Sequence, residues 1–84
     1  MNSPLRAYIL VTVQVGKEFE VLNHVKTNLP SDNVKEADVV YGEYDIIIRV
    51  EAESLEHLHN LVLKVRSNPY VRHTVTLVSA KRTS

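Results

Sequence analysis

Apolar residues along this chain switch between two spacings. From Ala7 to Val15 every second residue is apolar, so Ala7, Ile9, Val11, Val13 and Val15 share one face of a strand, while Tyr8, Leu10, Thr12 and Gln14 take the other. Gly16 breaks the alternation. Across Lys17 to Leu29 the spacing becomes helical, with Val21, Leu22, Val25 and Leu29 on one stripe and Phe19 at its margin. Pro30-Ser31-Asp32-Asn33 ends that helix, and Val34 to Tyr41 returns to extended chain. Tyr44 to Val50 is a second β-branched run. Only Gly42-Glu43 lies between the two, which predicts a hairpin with a two-residue type II′ turn, glycine supplying the positive φ at its first position. Ser54 then offers an N-cap to a helix whose stripe is Leu55, Leu58, Leu61, Val62 and Val65. Asn68-Pro69 stops it. Val71 to Ala80 is the last strand, with Val71, His73, Val75 and Leu77 on one face and Arg72, Thr74, Thr76 and Val78 on the other; Lys81 to Ser84 reads as a frayed tail.

The order is βαββαβ, two similar halves with a proline marking each return to a strand. Right-handed crossovers put both helices on one face of a four-stranded antiparallel sheet, the ferredoxin-like arrangement with spatial order 4-1-3-2. The other face lacks a cover. Tyr8, Leu10, Ile47 and Val78 are too apolar for a fully solvated surface, although Thr12, Gln14, Arg49, Thr74 and Thr76 are mixed among them, so a symmetric partner's sheet is expected to bury this face in a dimeric α+β barrel.

Composition narrows the function. An 84-residue chain is one domain at the small end of what buries an adequate core alone. With no cysteine, disulfides and thiolate metal sites are excluded, and oligomerisation is the expected source of extra stability. Ten basic and ten acidic side chains cancel, unlike the basic balance of a nucleic-acid-binding domain, so no direct DNA binding is expected. Met1-Asn2-Ser3-Pro4-Leu5-Arg6 does not read as a leader and no apolar run reaches membrane-spanning length. A cytoplasmic protein away from membranes is expected.

Metal chemistry finds little support. His57 and His59 lie two apart on a helix and point to nearly opposite sides. Glu53/His57, Glu56/His59 and Glu20/His24 have chelating separations, but exposed helices carry such pairs as solvated contacts. No metal and no cofactor is expected. A small dimeric enzyme is the rival class, with Tyr8, His73 or Asp45 as acid or base in a cleft between helices and sheet, His73 facing the helices. These groups form no recognisable catalytic constellation.

The run Val40-Tyr41-Gly42-Glu43-Tyr44-Asp45-Ile46-Ile47-Ile48-Arg49-Val50, the Leu58 and Leu61 helix, and Pro69-Tyr70-Val71-Arg72-His73-Thr74-Val75-Thr76 together resemble the effector (RAM) domain of the Lrp/AsnC transcription regulators. The resemblance runs from Ala7 to Ala80 and is most specific at Gly42 to Asp45 and at Thr74 and Thr76. It implies the βαββαβ fold, a homodimer through the open sheet face, assembly of dimers into tetramers or octamers, and a free amino acid or similar small effector bound between dimers. Two features depart from the family. Only about six residues precede the first strand, too few for the usual helix-turn-helix, and Pro30-Ser31-Asp32-Asn33 and Pro69-Tyr70 replace Pro-Gly turns. The expectation is a single effector domain over residues 1–84, with its core at 7–80 and no DNA-binding domain, that senses a small molecule and assembles with itself or with a full-length Lrp/AsnC-type regulator.

An amino acid presents a carboxylate beside an ammonium, so its receptor needs donors next to an acceptor. Backbone amides at Gly42 and Glu43 and the hydroxyls of Thr74 and Thr76 can donate, Asp45 or Glu43 can accept, and Tyr41 and Tyr44 can supply apolar walls with a polar tip. The same residues also fit a purely structural reading. The threonines are good strand formers, Asp45 can cap the turn, and the tyrosines can cover the sheet edge, leaving an oligomerisation module without ligand.

Overall fold

The computed structural model describes residues 4–80; the expected tail Lys81–Ser84 lies outside the described residues. Six elements follow in order: β1 (Leu5–Val13), α1 (Glu18–Asn28), β2 (Val34–Val39), β3 (Ile46–Ala52), α2 (Leu55–Arg66) and β4 (Val71–Val78). The strands form one sheet in the order β2-β3-β1-β4, every neighbouring pair antiparallel, with β1 and β3 in the centre. This is the expected ferredoxin-like topology.

Alternation along the central strands builds the core. Ala7, Ile9, Val11 and Val13 of β1 and Ile46, Ile48, Val50 and Ala52 of β3 are buried against Val21, Val25 and Leu29 from the first helix and Leu58, Leu61, Val62 and Val65 from the second. Val15 does not join them. The strand ends at Val13, and Val15 sits in the turn before α1 with 89% of its surface exposed. Leu55, expected on the α2 stripe, is also exposed, because it is the first helical residue and lies beyond the sheet's reach.

The helix ends differ. Ser54 adopts extended backbone and its Oγ accepts the His57 N–H at 3.1 Å, while His57 Nδ1 accepts the Glu53 N–H at 3.1 Å. One of the donors left over at the start of α2 is thus satisfied by the Ser54 hydroxyl, and the His57 imidazole reaches back past the cap to hold the Glu53 N–H just ahead of it. Lys17 precedes α1 and offers no side-chain cap, leaving Glu18 and Glu20 to complement the positive end of that helix. Leu29 turns extended, as a residue before proline must, and closes α1 with its N–H on the Val25 carbonyl.

One expectation about faces is overturned. Thr74 pairs with Val11, Thr76 with Ile9 and Val78 with Ala7, so all three lie on the helix side of the sheet, while His73, Val75 and Leu77 pair with Thr12, Leu10 and Tyr8 on the open side. The cause is a slip in register between Thr12 and Val13. Val71 pairs with Val13 and His73 with Thr12, leaving Arg72 as an extra residue that bulges β4 and reverses its phase. The open face therefore carries Tyr8, Leu10, Ile47, Val75 and Leu77 as an apolar centre, flanked by Arg6, Thr12, Arg49, Glu51, Glu36, Asp38 and His73. No helix covers it.

Candidate functional site

No polar or charged residue is buried among the described residues. Chemistry is therefore confined to the surface, to the ends of the sheet, or to contacts between copies of the chain. The richest end is where β1 finishes, where the β2–β3 connection, the start of β4 and the end of α2 meet.

The connection is longer than a two-residue turn. Pairing between β2 and β3 stops at Val39 and Ile46, and the last bond across it runs from the Val40 N–H to the Asp45 carbonyl at 2.8 Å, so Tyr41 to Tyr44 make the reversal. Gly42 does hold a positive φ, of 139°, at a position where the backbone is exposed. The strands part early because Asp45 is bound to β1 twice. Its N–H donates to the Val11 carbonyl at 2.9 Å, and its Oδ2 accepts the Val13 N–H at 2.8 Å. The carboxylate thus satisfies an amide at the end of β1 that the β3 ladder no longer reaches. Tyr41, Gly42 and Glu43 beyond it are exposed, and Tyr44 is half-buried.

Thr74 and Thr76 are half-buried on the helix side of β4. Since β4 and the connection flank β1 on opposite sides, Asp45 and Thr74 are two strand spacings apart, roughly 10 Å. One chain does not fold Gly42 to Asp45 and the two threonines around a common point. Tyr8, His73 and Asp45 do not converge either: Tyr8 and His73 face the open side, and no cleft between helices and sheet contains the three. Among the described residues no group of three or more histidine or acidic side chains gathers where it could hold a metal ion. His57, which had a chelating partner in Glu53 by spacing, spends Nδ1 on that residue's backbone amide.

Two arginines emerge that the sequence pattern did not single out. Arg66, Val71, Arg72, His73 and Thr74 line a cleft of about 290 Å³ between the end of α2 and the start of β4. The signal that could have found it is the bulge at Arg72, which no periodicity in β4 alone reveals. A second hollow of about 270 Å³, lined by Lys26, Leu29, Ser31, Val34, Lys35 and Glu36, lies beside the outer edge of β2. Beside the first cleft, Gln14 N–H donates to the Tyr70 carbonyl at 2.9 Å and the Lys17 ammonium lies 4.9 Å above the Tyr70 ring, tying the β1–α1 turn to the entry of β4.

The architecture is that of a βαββαβ domain with two helices on one side of its sheet and an unclothed, half-apolar face on the other. The chain belongs to the Lrp/AsnC ligand binding domain family, whose model matches residues 6–84. Among solved structures it is similar to FFRP-DM1, with 38% identity over 89% of this chain and 97% of that one and a TM-score of 0.79. It is also similar to the hypothetical protein PHS023 from Pyrococcus horikoshii, with 36% identity over 94% of this chain and 93% of that one and a TM-score of 0.79. Escherichia coli AsnC shares the fold at 23% identity and a TM-score of 0.80; the match takes in 95% of this chain and 53% of AsnC. No curated protein matches the chain. The resemblance read from Ala7 to Ala80 is thus borne out at the level of the family and the fold. A regulatory ligand-binding domain is the class to which the fold and the family assign it.

Proposed function

We propose that this domain is a sensing and assembly module that binds a free amino acid or a similar small effector and couples its binding to self-association, modulating transcription regulation through its own oligomer or through a full-length Lrp/AsnC-type regulator. The observation that carries this reading is the open sheet face, where Tyr8, Leu10, Ile47, Val75 and Leu77 form an apolar centre within a charged and polar rim. Such a face on a small core is stabilised by a second copy laid sheet to sheet, the dimer expected of the family. With the interior closed to polar groups, an effector then binds between copies. Tyr41, Gly42, Glu43, Tyr44 and Asp45 of one dimer meet Thr74 and Thr76 of another, which accounts for the separation of the two groups within one chain. No catalytic role is assigned, and the domain acts in the cytoplasm.

Screening the free amino acids for a rise in melting temperature tests the sensing half, because a ligand that prefers the native state must stabilise it. Sedimentation of the same samples tests the coupling, since a ligand that prefers the assembled state shifts the oligomer distribution. Thr76→Val keeps shape and β-propensity while deleting a donor. It is expected to weaken the ligand with the dimer intact, and unchanged affinity in that variant counts against the site. A stable monomer at micromolar concentration, together with no thermal response to any amino acid, would overturn the reading.

A further inference from the structure

We propose that the cleft between the end of α2 and the start of β4 is an oxyanion subsite, taking the carboxylate or phosphate group of a small molecule on Arg66 and Arg72. Three observations converge there. First, the residues that line the cleft are two arginines, a histidine, a threonine and a valine, with no acidic residue among them, in a chain whose formal charge is otherwise balanced. Second, the described residues form two ion pairs, Lys17–Glu20 and Arg49–Glu36, and the guanidiniums of Arg66 and Arg72 take part in neither of them and in no side-chain hydrogen bond among those residues. Third, Arg72 is the inserted residue of the β4 bulge, a device that re-aims a side chain out of the strand's regular alternation.

The chemistry follows from these groups. A guanidinium presents a planar fork of N–H donors that matches carboxylate and phosphate oxygens two at a time, and two guanidiniums from different elements can grip an oxyanion from two directions. Thr74 adds a hydroxyl from the same wall. At about 290 Å³ the cleft has room for an oxyanion group with a short attached chain, and not for a large ligand. Arg66 also occupies the last turn of α2, where a cation offsets the negative end of the helix. That role alone would leave the arginine indifferent to added anions.

This deepens the effector reading, on which its biological use rests: the acid-recognising end of the site lies on β4 and α2 rather than on the amides of Gly42 and Glu43. The test is titration of the full chain with inorganic phosphate, glutamate and glutamine, followed by calorimetry and by the amide and arginine Nε–H signals in NMR. Saturable shifts at Arg66, Arg72 and Thr74 are expected with phosphate, glutamate or both, and the pair of acids tells which oxyanion is preferred. Arg72→Gln and, as a second variant on a different element, Arg66→Gln are each expected to weaken that binding roughly tenfold to a hundredfold, as loss of a charge-assisted hydrogen bond does. Arg72→Lys keeps the charge without the fork and is expected to restore only part of it. Silence of the cleft signals towards both acids, undiminished binding in both glutamine variants, or full affinity in Arg72→Lys overturns the subsite. Glutamine shifting the Tyr41–Tyr44 signals while the cleft stays silent to the acids overturns this inference and spares the effector reading. Acid binding in the cleft with Tyr41–Tyr44 silent to all three probes supports it and counts against the loop as the binding site.

Discussion

Replacing Asp45 with alanine removes the acceptor of the Val13 N–H and frees the β2–β3 connection from the end of β1. The bond is 2.8 Å long, half-buried, and has an ionised acceptor. Hydrogen bonds to charged groups contribute about 1.5–3 kcal/mol, and partial exposure places this one in the lower half of that range. For a domain of this size about 1 kcal/mol moves the melting temperature by 4–8 °C, so Asp45→Ala is expected to melt roughly 6–18 °C lower. Asp45→Asn keeps an acceptor oxygen without the charge and is expected to lose about half as much. Thermal melts and urea titrations of the three proteins check this, with an unchanged m-value showing that the native and unfolded states are otherwise comparable. An alanine variant melting within about 2 °C of the parent would refute the structural role and leave the carboxylate available to an ammonium. The comparison also decides how ligand data are read: affinity lost in Asp45→Ala but kept in Asp45→Asn reports a displaced loop, whereas affinity lost equally in both reports a missing charge.

Ser54→Ala deletes the cap on α2 and is expected to cost about 0.5–2 kcal/mol by urea denaturation. Ile48→Ala empties a fully buried position in the centre of the sheet and is expected to cost about 2–5 kcal/mol by the same measurement. Leu10→Asp puts a charge in the middle of the open face; sedimentation should show smaller species at equal concentration while far-ultraviolet circular dichroism keeps the parent's shape.

Periodicity located all six elements, most plainly in β1 and β3, whose buried residues alternate without interruption, and in the buried stripes of the two helices. Besides Val15 and Leu55, it misjudged two places for one reason: both were decided by β1, far away in sequence. In β4 both faces are made of good strand formers, Val75 and Leu77 against Thr74, Thr76 and Val78, so the local pattern does not fix the phase and the slip opposite Thr12 and Val13 does. In the β2–β3 connection, Tyr41 and Tyr44 have high strand propensity, yet Asp45 bonds to Val11 and Val13 and draws the chain out of the hairpin before those two residues can pair. The candidate site was legible as residue types at Gly42 to Asp45. The arginine cleft was not, because it depends on where a bulge falls.

The strand order also sets the timing of folding. β1 is made first, yet it lies between β3 and β4, and its residue Ala7 pairs with Val78 at the other end of the chain. At synthesis rates of about 5–20 residues per second, an emerging chain carries β1 for several seconds before its second neighbour exists. During that interval one edge of the most apolar strand is unsatisfied, a template for pairing with another nascent chain. Closure must then await β4, and with most of its sheet contacts spanning large loops the domain is expected to fold in one cooperative step once that strand is available, more slowly than a helical bundle of equal length. Removing β4 would leave that edge permanently open, so a truncated chain is expected to aggregate rather than to persist as a smaller domain.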